Sequence, residues 1–184
     1  MKNQELIQVI DGTIKGIWEK EIKEDYECGW LLKEDTLKNS IYHHLRSKLG
    51  HLFDENDIRI FTEFTKDKFK GTNYRPDLVI AKVNMDYDGC WEDSIEECLS
   101  IIEIKFKTGF SPSKDIYSDY QKLRTYAEKL NVDCNLYMAT IWEYEDDETF
   151  WERKNAAWAN GRLTELNASY KRGTMDMRFY VKKH

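Results

Sequence analysis

Residues 75–80 read RPDLVI and residues 100–107 read SIIEIKFK. Both stretches are apolar enough for buried strands, yet Asp77 follows Pro76 in the first, and Glu103 and Lys105 stand two apart in the second. Strand side chains alternate faces, so Glu103 and Lys105 point the same way, about 7 Å apart, while Ile102, Ile104 and Phe106 take the opposite face. If the strand at 77–83 pairs beside the strand at 99–107, Asp77 converges on Glu103. Two carboxylates plus a backbone carbonyl, here that of Ile104, make a hard oxygen site suited to Mg²⁺ or Mn²⁺. An ammonium next to such a site can position a water and offset charge building on a phosphate.

Working outward, IRIFTEFT at 58–65 reads as a strand before the polar stretch KDKFKGTNYR, and DLVIAKV and LSIIEIKFK follow, so three short strands in a row form a meander. Upstream, Leu6, Ile7, Ile10, Ile14 and Ile17 predict a helix over 3–24. Leu37, Ile41, Leu45 and Leu49 predict a second from about Asp35 to Leu49, capped by Asp35 or Thr36 and ending at Gly50. Downstream, Ile116, Tyr120, Leu123, Ala127 and Leu130 define the buried stripe of an amphipathic helix over 113–130, with Tyr117, Gln121, Arg124 and Glu128 beside it. CNLYMATIWEY at 134–144 is apolar nearly throughout, as a central strand is. A helix from about 149 to 171 and a last strand, MDMRFYVKK, complete the order α-α-β-β-β-α-β-α-β, an α/β mixed sheet flanked by helices.

The chain has 184 residues, 41% of them hydrophobic and 14% aromatic, which suits one domain with a real core. It holds no apolar run of the roughly 20 residues that span a bilayer and no signal-peptide core, so the expectation is a cytoplasmic protein with no membrane partner. Cys28, Cys90, Cys98 and Cys134 form no CxxC pair and read as reduced thiols. The stretches 86–97 and 143–148 hold eleven acidic residues and no basic one; taking their −11 from the net −6 leaves the rest at +5. Net charge therefore neither supports nor excludes a nucleic-acid partner.

RPD followed by IIEIK resembles the PD-(D/E)xK signature of a large nuclease superfamily that includes restriction endonucleases and junction resolvases. Pro76–Asp77 gives the first half and Glu103–Ile104–Lys105 the second, 26 residues on. The resemblance implies a restriction endonuclease-like αβββαβ core over about 35–144, within a single domain spanning 1–184. An extra N-terminal helix and a C-terminal helix–strand extension would flank it. It implies hydrolysis of phosphodiester bonds in nucleic acid, DNA by preference, with Mg²⁺ or Mn²⁺ held by Asp77 and Glu103 and with Lys105 serving the nucleophile. A homodimer is left open. An acidic residue on the first core helix or strand often joins such sites, which nominates Glu34 and Glu63. Some subfamilies also place Gln and Tyr on the helix after the ExK strand; Gln121 matches, but Tyr126 lies five residues on rather than four.

Each assignment has a plainer counterpart. Glu34 can simply favour a helix start, where the macrodipole welcomes negative charge. Glu63 can face water from an edge strand, Gln121 can be an ordinary exposed helix residue, and Lys107 a solvated strand end. His43 and His44 face different directions on their helix and read, with His51, as ordinary helix residues. Trp142, Trp151 and Trp158 read as core rather than a base-stacking platform. At the level of function, the counterpart is a PD-(D/E)xK-like domain that binds protein or nucleic acid without cleaving.

Overall fold

A computed structural model of the chain describes residues 3–64, 74–108, 114–145 and 156–184. The helical N-terminus comprises α1 (Asn3–Ile17), a π-helical turn at Trp18–Ile22 and α2 (Lys23–Glu27). Then follow α3 (Glu34–Glu55), β1 (Ile58–Thr62), β2 (Leu78–Val83), β3 (Ile95–Thr108), α4 (Lys114–Lys129), β4 (Asn135–Glu145), β5 (Leu163–Tyr170) and β6 (Met177–Lys183). The six strands form one mixed sheet in sequence order. β1, β2 and β3 are the expected antiparallel meander, β4 runs parallel to both β3 and β5, and β6 returns antiparallel to β5.

Strand alternation sorts the core into two layers. Ile102, Ile104 and Phe106 of β3, with Tyr137, Ala139 and Ile141 of β4, pack on the side of α1 and α3, against Ile10, Ile14, Leu37 and Leu45. The opposite residues, Ile101, Leu136, Met138 and Leu163, meet Ile116, Tyr120, Leu123 and Tyr126 of α4. The π-helical turn puts Trp18 and Ile22 on the first layer, and the Trp18 indole donates to the Asn167 carbonyl of β5 at 3.1 Å. Each buried indole N–H needs such an acceptor.

The second helix is longer than its apolar spacing predicts: α3 starts at Glu34 and runs past Gly50 to Glu55, adding Phe53 to the buried stripe. The cap is Lys33 rather than Asp35 or Thr36, and Thr36, at the third helical position, accepts the backbone N–H of Lys33 at 3.1 Å. Over its described residues the expected helix at 149–171 is overturned: a short 3-10 turn at Ala157–Ala159 and a strand stand there. Residues 149–155 lie outside those described, as does Trp151, while 163–170 form β5, which pairs antiparallel with β6. In LTELNASY, Glu165, Asn167 and Ser169 alternate with Leu166 and Ala168, and nearly all are buried. Polar residues under α4 disguised a period of two. Gly173, at φ 74°, supplies the left-handed residue of the turn into β6.

Among the described residues no helix is long and apolar enough to cross a membrane, and the four cysteines are free.

Candidate metal centre

Antiparallel pairing sets the centre. Leu78 opposes Ile102, so one step outward Asp77 stands across from Glu103. Asp77 Oδ2 accepts the backbone N–H of Ile104 at 2.7 Å, which fixes the carboxylate on β3. Glu103 and Lys105 leave β3 on the α4 side of the sheet, where α4 lays Asp119, Lys122 and Tyr126 over them. These three are spaced three and four apart and so share one helix face. Glu34, in the first turn of α3, reaches the same place from the strand end.

The charges form a continuous chain. Lys105 Nζ lies 3.2 Å from Glu34 Oε2 and 3.2 Å from Asp119 Oδ2. Lys122 Nζ lies 2.5 Å from Asp119 Oδ1 and 3.5 Å from Glu103 Oε2. Glu103 is 1% exposed and Asp77 9%. Burial, which outweighs the Ile104 hydrogen bond, pushes the Asp77 carboxyl up to about 6, with the Glu34 charge adding to the rise. Burial, then the charge of Asp77, drives Glu103 well above the carboxylate range against the pull of Lys122. Burial alone would pull Lys105 down, but the Asp119 and Glu34 carboxylates hold it above its ordinary value, so it stays an ammonium. Tyr126 lies beside Glu103, and burial together with that charge keeps it a neutral phenol.

These residues fit a divalent cation. With every group ionised, four carboxylates (Asp77, Glu103, Asp119, Glu34) face two ammonium groups in this inner cluster, a deficit of two positive charges. Glu103 Oε1 is buried without a hydrogen bond of good geometry, the Tyr126 hydroxyl being the protic neighbour of this carboxylate, and a buried carboxylate is costly unless cationic or protic groups meet it. Among the described residues no three His, Cys, Asp or Glu side chains converge as a ready-made ligand set. Mg²⁺ does not require one: it commonly takes one or two carboxylates and keeps several waters.

The other nominated residues are placed as follows. Glu63 directly follows β1, in the left-handed region at φ 49°, and its N–H donates to the Asp77 carbonyl at 3.1 Å. Its carboxylate is held by Lys38 and, at 2.8 Å, by Arg75, so it joins the centre's rim through Lys38, whose charge also reaches Asp77. Gln121 is exposed on α4. His44 bonds Asp25 at 3.0 Å and His51 lies 3.4 Å from Glu55, both apart from the centre. Trp142 and Trp158 are half-buried and pack on the α4 layer, Trp158 beneath Arg124.

Sequence reasoning missed Asp119 and Lys122. The available signal was their i, i+3 spacing on the turn between Ile116 and Leu123, inside the apolar stripe. It also missed a second buried polar group under α4: Glu165 accepts from the Tyr120 hydroxyl and from Asn167 Nδ2 at 3.1 Å, with His184 Nε2 3.6 Å away. Glu103 and Glu165 flank Met138 from either side of β4.

No protein-family model, curated protein or solved structure matches this chain.

Proposed function

We propose that this chain is a metal-dependent nuclease of the PD-(D/E)xK type, hydrolysing phosphodiester bonds of nucleic acid, with DNA the preferred substrate. The observation that carries the reading is the convergence of Asp77, just ahead of β2, with Glu103 and Lys105 on one face of β3. The element order α3-β1-β2-β3-α4-β4 supports a restriction endonuclease-like core.

In this reading Asp77, Glu103 and the Ile104 carbonyl would hold Mg²⁺ or Mn²⁺. A divalent ion there supplies Lewis acidity toward a phosphoryl oxygen and lowers the pKa of water. Lys105 is a donor and not a base, because Asp119 and Glu34 keep it protonated. Its task is to orient the attacking water and to face the charge that grows on phosphorus as the new P–O bond forms and the bond to the 3′ oxygen breaks. Glu34 and Asp119 hold Lys105 in place, and Tyr126 shields Glu103 from solvent.

A second reading has its own support. Both half-buried ammonium groups are already committed to carboxylates, as in a charge network kept for structure in a non-cleaving domain that binds a partner. Incubating the protein with plasmid and single-stranded DNA in Mg²⁺ or Mn²⁺ separates the two. The nuclease reading expects cleavage that Asp77→Ala and Lys105→Ala abolish while remaining folded. Absence of cleavage by the wild type, or cleavage that survives both substitutions, rejects it.

A further inference from the structure

Lys122 is a cation already beside the Asp77–Glu103 pair. Its ammonium is anchored on Asp119 Oδ1 at 2.5 Å but reaches Glu103 Oε2 only loosely, at 3.5 Å. Asp119 stands three residues earlier on α4, so this pair needs no other element and survives any movement of the ammonium away from Glu103. The groups facing Lys122 are Asp119 on its own helix, Glu103 on β3 and, at longer range, Asp77 ahead of β2. These include both carboxylates nominated as ligands. The lysine stem is flexible and its charge a compact point, so it can leave one carboxylate without releasing the other. Its side chain is already one-quarter exposed, which gives the ammonium a route outward.

We infer that Lys122 is an internal counter-ion of the Asp77–Glu103 centre, displaced from Glu103 when a divalent cation binds and then presented, still tethered to Asp119, toward the substrate side. The inference rests on the metal-site reading above and adds to it a residue and a consequence. Lys122 sets the metal affinity, holding it weaker than the carboxylates alone would give, and the exchange exposes a second ammonium for a phosphate only when metal is loaded. A divalent ion and a nearby ammonium compete for the same negative charge, and such competition is a coupling that either partner must feel.

Calorimetric titration of Mn²⁺ into the wild type and Lys122→Met tests it without reference to activity. Methionine keeps the apolar stem, one atom shorter, and removes the charge. The expected result is binding about tenfold tighter in Lys122→Met, within the ordinary range of coupling between sites. If the wild type binds Mn²⁺ and Lys122→Met binds it equally or more weakly, the exchange is overturned and the metal site stands. If neither binds, both are overturned. Should Lys122→Met not fold, the wild type decides through amine acylation read by mass spectrometry. Saturating Mg²⁺ is expected to raise the modification rate of Lys122 several-fold and leave Lys105 unchanged; an unchanged Lys122 rate overturns the exchange.

Discussion

Asp77 accepts the backbone N–H of Ile104 at 2.7 Å, so the carboxylate at the start of one strand is bolted to the residue between Glu103 and Lys105 on the next. This bond aligns the two halves of the centre. It also makes Asp77 structural, because its loss leaves a buried N–H without its acceptor. At about pH 4, where the folded carboxyl is protonated, Asp77→Ala should lower stability by about 1–3 kcal/mol in chemical denaturation, and at neutral pH it should remove cleavage and metal binding. Asp77→Asn can keep the oxygen acceptor and should recover most of the stability but none of the metal affinity.

The raised carboxyls predict an inverted pH dependence. The Asp77 carboxyl sits at about 6 against an ordinary 3.8, so in the window between these values the folded protein holds a proton that the unfolded chain has released. Stability of the metal-free protein should therefore fall as pH rises through that window, by up to about 3 kcal/mol from this group alone. Glu103 acts in the same sense. A divalent cation binds the ionised carboxylates, so the rise in Tm on adding Mn²⁺ should be larger at about pH 7.5 than at about pH 5. An equal rise at both would mean that these carboxyls are not the ligands.

The acidic and amide candidates should separate by their contacts. Glu34 holds Lys105 directly, and residues that orient a ligating or reacting group typically cost about 10- to 100-fold when removed. Glu34→Gln is expected in that range for cleavage, with Mn²⁺ affinity changed less. Gln121→Ala, on the exposed side of α4, should stay near wild type. Steady-state cleavage rates of the two variants, measured side by side, check the order.

Much of this arrangement was legible in the sequence because it follows from alternation. The period of two in SIIEIKFK places Glu103 and Lys105 opposite Ile102, Ile104 and Phe106, and a Pro-Asp at a strand start marks the neighbour. What escaped was polarity under a helix. Asp119 and Lys122 lie within the stripe of α4 that reads as apolar, Asp119 buried and Lys122 half-buried, because Glu103 and Lys105 rise from the sheet to meet them. Glu165, Asn167 and Ser169 gave β5 the look of a solvated helix for the same reason. A polar residue is written alike whether water or a buried partner faces it, so local pattern does not separate the two.

The Glu165 group should prove structural. Tyr120 and Asn167 donate to Glu165 beneath α4, so Glu165→Ala strands two buried donors and should cost about 1–3 kcal/mol. Folded Glu165→Ala should bind Mn²⁺ as the wild type does, because Met138 stands between Glu165 and Glu103. Calorimetry beside a denaturation curve reads both effects.

The most direct test of the centre is a crystal of the wild type soaked in Mn²⁺, with anomalous data collected at a wavelength where Mn²⁺ scatters strongly. One peak is expected, bounded by the Asp77 and Glu103 carboxylates and the Ile104 carbonyl and lost in Asp77→Ala. A Mn²⁺ peak elsewhere, or none between these groups at a saturating concentration, would contradict the metal centre.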